Sequence, residues 1–160
     1  MKQLNALFFL LSLIAISVLY LHLNGIASFL GTKVAYYALA LGLLIPFFLL
    51  FFGYTQLRDI KVFLVWLLLG AGMLVFYIYF KDHPSLQLRR GSALRSFRSL
   101  FFFLIMFQVG RQIFIRMMGL EYVTPSRGGS NDLLEGIKPQ WADFIMFGVL
   151  FVSIIAAQEF

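Results

Sequence analysis

Apolar residues run along this chain in long blocks, and polar residues gather in short breaks between them. Leu7 to Leu23 is the first block, bounded by Lys2 and by Asn24-Gly25. Val34 to Phe52 is the second, Val62 to Phe80 the third, and Trp141 to Gln158 the last. At about 1.5 Å per helical residue, blocks of this size match the roughly 30 Å hydrocarbon layer of a bilayer. The pattern predicts an all-α, multi-pass transmembrane helical bundle in one membrane-embedded domain, with no soluble domain. The expected spans are about 6–23, 34–53, 62–80, 98–118 and 141–158. The first block resembles a secretory signal, with Ala27-Ser28 near a cleavage position. It is long for that role and more spans follow, so it is read as a retained helix.

Small residues mark where helices can approach. Ala38 and Gly42 form a small-xxx-small pair in the second block, and Gly70 and Gly72 are the small positions of the third. Pro46 predicts a kink of the kind membrane helices tolerate. Tyr77 and Tyr79 suit a headgroup boundary. Pro139 suits a helix start, with Trp141 and Asp143 at the membrane interface. Asp132-Leu-Leu-Glu135 has capping-box spacing and predicts a short helical turn. No internal repeat is evident, which leaves an inverted-repeat transporter unsupported.

Residues 85–119 break the apolar pattern. Arg89, Arg90, Arg95 and Arg98 come first, then the wholly apolar Leu100–Phe107, then Gln108, Arg111, Gln112 and Arg116. Read as one helix at about 100° per residue, Gln87, Arg90, Arg98, Gln108, Arg111, Gln112 and Arg116 share an arc of roughly 140°. In one arrangement 98–118 spans the membrane with this face toward the bundle interior. In the other it lies in the interface with the arginines up, leaving four spans. A central arginine costs about 2.5–3.5 kcal/mol on insertion scales, and the eight apolar residues can offset one such charge. Arg98 and Arg116 can snorkel; Arg111 is the deep one.

Charge bookkeeping favours the interfacial arrangement. It puts every Lys and Arg except Lys2, Arg58 and Lys61 on one side, whereas five spans divide them almost evenly. Against it, Leu100–Phe107 lacks the amphipathicity to lie flat, and five spans is the favoured reading. The dense Arg89–Arg98 cluster is then cytoplasmic and the N-terminus outside.

Composition agrees with this picture. Of 160 residues, 61% are hydrophobic and 12% charged, against about 25% charged in soluble domains. With no cysteine, disulfides, thiolate metal sites and a cysteine nucleophile are excluded. A net charge of +6 is read as basic loops on anionic lipid. Nucleic acid is not expected as a partner, for want of a recognition module. The twenty Phe read as packing and lipid-facing surface.

Candidate chemistry is sparse. Arg98, Gln108, Arg111, Gln112 and Arg116 are candidates for binding an anionic group or a partner, with Asp143 and Glu121 as plausible acids for Arg111. Arg89, Arg90 and Arg95 are candidate lipid headgroup anchors, each contributing about 1 kcal/mol near an anionic surface. His22 and His83 fall on the same side but too shallow for a haem pair, so no metal or cofactor is expected. The acids lie near block ends, and no hydrolase, metalloprotease or P-loop motif is present.

The leading expectation is a non-catalytic subunit, anchor or accessory, paired with other membrane subunits or itself, in a bacterial inner membrane. One alternative is a carrier or enzyme clamping an anionic lipid-linked or phosphate-bearing substrate through Arg98, Arg111 and Arg116. Another is an oligomeric anion-conducting pore.

Overall fold

A computed structural model describes residues 2–26, 30–89, 91–125 and 137–159. Five α-helices dominate it: α1 Lys2–Leu23, α2 Val34–Phe48, α3 Ile60–Phe80, α4 Phe97–Met118 and α5 Trp141–Ala156. Four helical stretches are long and apolar enough to cross a membrane, namely Gln3–Leu23, Val34–Gly53, Ile60–Phe80 and Ala93–Met118. The expected fifth span is shorter. α5 has 16 residues, about 24 Å of helix.

Local chemistry explains several boundaries. Pro46 sits inside α2, where it removes one backbone N–H; the helix continues and widens into a π turn over Leu49–Gly53. Asp59 caps α3, its carboxylate accepting from the Lys61 N–H at 2.9 Å. At α5, the Asp143 carboxylate accepts from the Gln140 N–H at 2.7 Å. α4 stops at Gly119, whose φ of 67° reverses the chain.

The stretch before α4 departs from the helical spacing that puts Gln87 and Arg90 on one arc with Arg98 and Arg111. Pro84–Leu86 forms a 3-10 turn, and β1 Gln87–Leu88 pairs antiparallel with β2 Gly91–Ser92. A second 3-10 turn over Ala93–Ser96 then leads into α4. The positive φ of Gly91, 109°, is incompatible with a continuous helix through this stretch. Gln87 therefore does not share a helical face with Arg98 and Arg111. Arg90 and the Asp132–Glu135 turn lie outside the described residues.

Helices consecutive in the chain alternate in direction. Phe8 stacks on Phe48, so α1 runs against α2; Phe9 meets Trp66 and Tyr20 meets Phe76, so α1 runs with α3. Phe76 meets Phe97 near one end of the α3–α4 contact. α5 is antiparallel to α2, with Phe47 against Phe151 and Phe51 against Phe147. It is also antiparallel to α4: the Ser99 hydroxyl donates to the Ile154 carbonyl at 2.9 Å, while Gly110 faces Met146 further along. The aromatic residues thus join each helix to its neighbours.

Small residues work inside the chain. A Cβ on Gly42 would lie 2.7 Å from the Ser96 backbone carbonyl carbon, and Ser96 donates to the Ala38 carbonyl at 3.4 Å. A Cβ on Gly70 would lie 3.3 Å from the Phe101 backbone. Gly72, expected as a packing position, faces open space; two residues along a helix turn through about 200°, away from the contact made by Gly70.

The buried centre is aromatic and aliphatic, with Trp66, Tyr54, Phe97, Phe103, Phe107 and Tyr122 all enclosed. The outside is also apolar: Leu68, Ile78, Met117 and Val152 are exposed. A soluble monomer rarely shows so much apolar surface.

Candidate functional site

α4 carries its polar residues beside the buried face instead of on it. Phe97, Leu100, Phe103, Leu104, Phe107 and Phe114 point inward. Gln108 and Arg111 are half-buried at the edge of that face, and Gln112 and Arg116 are exposed. The polar arc does not face the bundle interior as expected: large rings fill the interior, and Arg98 and Arg111 find partners toward the two ends of the helix.

Arg111 is held within the chain. Its Nε donates to Oε2 of Glu121 at 2.8 Å, and a terminal guanidinium nitrogen bonds the other carboxylate oxygen. Arg111 is 14% exposed and Glu121 40%. The reversal at Gly119 brings Glu121 back along the helix it has just left. The bond from Arg111 holds the Glu121 carboxyl below the usual carboxylate range. Of the two acids considered for Arg111, Glu121 takes it.

Asp143 has a different task. It is 3% exposed, and its second oxygen accepts from the Val123 N–H at 3.0 Å. Arg58 reaches in from the turn between α2 and α3. It donates to the Tyr122 carbonyl at 2.7 Å, lies 4.0 Å from Glu121, and sits over the Tyr54 ring. Thr124 donates to the Leu50 carbonyl at 3.0 Å. The Tyr122 ring packs edge-on against Tyr54, Phe107 and Phe114, and burial pushes its hydroxyl pKa up. Residues 121–124 are thereby laced across one end of the bundle. The sequence reading counted Arg58 only as a loop charge; its role depends on a residue 64 positions away, which no local spacing discloses.

The opposite end holds the other arginines. Arg98 stacks over Tyr77 at 5.0 Å and donates at 3.5 Å to the Gln158 carbonyl near the end of α5. Arg89 and Arg95 line a cavity of about 780 Å³ together with Gln87, Ser92, Tyr36 and Glu159. Arg98 is thus brought near the anchor candidates and kept from Arg111 and Arg116. Thirteen residues of helix separate Arg98 from Arg111, about 20 Å, so one anionic group cannot touch both. His83, at the arginine end, shares a 2.7 Å hydrogen bond with Ser85.

Comparison with protein-family models, with curated proteins and with solved structures gave no match for this chain.

Proposed function

We propose that this chain is an integral membrane protein whose five helices cross the bilayer, and that it serves without a catalytic step, as an anchor or accessory held to anionic lipid at its arginine-lined end. The distribution of ionisable groups carries this reading. At one end Glu121 and Asp143 are engaged by Arg111 and by backbone N–H groups. At the other, Arg89 and Arg95 border an open cavity. Positive charge at a bundle end, beside apolar helix surfaces, suits phosphate-bearing headgroups.

Five crossings are supported by the packing of α4 along α3 and α5. A helix lying flat in the interface could not keep Ser99 on Ile154 and Gly110 beside Met146 while α5 stood upright. α5 is short, and flanking polar residues and local thinning accommodate such a mismatch. The basic residues divide almost evenly between the two ends, and the density of the Arg89–Arg98 cluster is what favours a cytoplasmic arginine end. The setting proposed is the bacterial inner membrane, on the shortness of the connections. Two arguments for an added subunit lose weight, since Gly42 and Gly70 pack within the chain and Arg111 has its acid. The pore reading also loses Arg111 as a lumen charge.

The test is lipid retention. Protein extracted from vesicles of equal phosphatidylglycerol and phosphatidylcholine is measured by native mass spectrometry. Selective retention of phosphatidylglycerol, lost in Arg89→Gln/Arg95→Gln, is expected. Equal retention of both lipids overturns the reading.

A further inference from the structure

The cavity at the arginine end holds an acid as well as its arginines. Glu159 lines it beside Arg89 and Arg95. Arg95 is half-buried, and Arg89 and Glu159 are exposed. Among the described residues, none of these three side chains has a hydrogen bond or an ion pair. Other charges of the bundle are engaged: Arg111 takes Glu121, and Arg98 lies over Tyr77 and reaches Gln158. For a head that carries only negative charge, Glu159 is a fault, because a carboxylate beside the site repels a phosphate. A head that carries a cation as well as a phosphate turns that repulsion into attraction.

The three groups stand on separate elements. Arg89 follows β1 in the turn of the hairpin, Arg95 lies in the 3-10 turn that leads into α4, and Glu159 follows α5. The Arg95 guanidinium rests against the hairpin: a Cβ on Gly91 would lie 3.0 Å from its Cζ, and glycine leaves that space open. The arginines thus belong to the hairpin side of the cavity and the carboxylate to the α5 side. Ser92 accepts from the Leu94 N–H at 3.4 Å, which leaves its hydroxyl hydrogen to donate to a phosphate. Leu39 and Leu88 also line the cavity and give acyl chains an apolar exit.

The lining also selects the cation. A primary ammonium is a hydrogen-bond donor and makes a charge-assisted bond to a carboxylate. A quaternary ammonium has no hydrogen to donate and is recognised by aromatic cages, whereas Tyr36 is the one aromatic ring among the described residues of this lining. A serine head adds a second carboxylate, which Glu159 repels. We propose that the cavity binds a phosphoethanolamine head, its phosphate between Arg89 and Arg95 and its ammonium on the Glu159 carboxylate. The phosphate half rests on the headgroup reading above; the ammonium half goes beyond it.

Phosphatidylethanolamine and phosphatidylcholine carry the same net charge, so comparing them isolates the amine. The full-length protein is extracted from vesicles holding the two in equal amounts, and retained lipid is measured by native mass spectrometry. Phosphatidylethanolamine should be retained at least about threefold over phosphatidylcholine. Glu159→Gln should erase that preference while raising the retention of phosphatidylglycerol over phosphatidylcholine, since the arginines keep their phosphate and lose the opposing charge. Glu159→Lys should do the same more strongly. Equal retention of phosphatidylethanolamine and phosphatidylcholine by the wild type overturns the proposal, and a continued preference for phosphatidylglycerol then leaves the headgroup reading standing. A phosphatidylethanolamine preference that survives Glu159→Gln comes from lipid packing and also overturns it. So does loss of both preferences in the two Glu159 variants, which would make Glu159 a structural residue. Equal retention of all three lipids overturns both readings.

Discussion

Arg111 and Glu121 stand ten residues apart in sequence and form a two-armed ion pair at the end of α4, with Nε to Oε2 at 2.8 Å. The pair answers a problem posed by the sequence. An arginine two turns inside an apolar helix is expensive in lipid unless neutralised. Gly119 allows the chain to reverse within a few residues, and the first acid after the reversal meets the guanidinium.

Removing one partner should cost more than removing both. Breaking a buried pair typically costs about 3–5 kcal/mol. With Glu121 at 40% exposure, solvent screening reduces this to about 1–2 kcal/mol for Glu121→Gln. Arg111→Met with Glu121→Gln should recover most of the loss. Unfolding in detergent across the double-mutant cycle measures the coupling, and additive losses would show that the pair does not hold the helix end.

The same pair predicts a pH dependence with a defined sign. The folded-state pKa of Glu121 is below its unfolded value, so the ionised carboxylate contributes stability that is complete above the ordinary carboxylate range. That contribution is lost as pH falls below about 4.3 and through the depressed folded value. Wild type should lose stability over this acid window more steeply than Glu121→Gln. Parallel curves would contradict it.

Asp143→Ala should release residues 121–124 from the end of the bundle. Its carboxylate serves the N–H groups of Val123 and Gln140, and stranding buried donors costs about 1–3 kcal/mol. Faster proteolysis between Gly119 and Trp141 is the expected signature. An unchanged cleavage rate would mean the segment is held by Arg58 and Thr124 alone.

The glycines should separate by position. Gly42→Ala drives a methyl group into the Ser96 backbone and should cost about 1–3 kcal/mol. Gly70→Ala has slightly more room and should cost less. Gly72→Ala meets open space and should be neutral or stabilising by up to about 1 kcal/mol, since alanine favours helix. Unfolding measurements on the three variants check the order.

Five crossings predict opposite accessibility for the two ends of α4. With no native cysteine, single cysteines at Ser85 and Lys138 report cleanly. In oriented membrane vesicles an impermeant thiol reagent should label one from outside and the other only after permeabilisation. Labelling of both from one side would restore the interfacial α4.

The apolar blocks were long enough, and their breaks polar enough, for the sequence alone to determine an all-α chain with its helices close to the boundaries observed. Block length and residue solubility are local quantities, which a sequence displays directly. It also named Glu121 among the acids open to Arg111, because a half-buried cation must find an anion within a limited set of seven acidic residues. The tertiary structure decided the rest. It turned the rings of α4 inward and left its polar arc at the flank. It put a hairpin before Arg98 where helical spacing placed Gln87, parted Arg98 from Arg111, and gave Gly42 and Gly70 contacts that Gly72 lacks. Arg58 on Tyr122 and the cavity shared by Arg95 and Glu159 join residues far apart in the chain. Such placements depend on which helix faces pack together, and hydrophobicity, nearly uniform around α1, α2 and α3, does not specify a face.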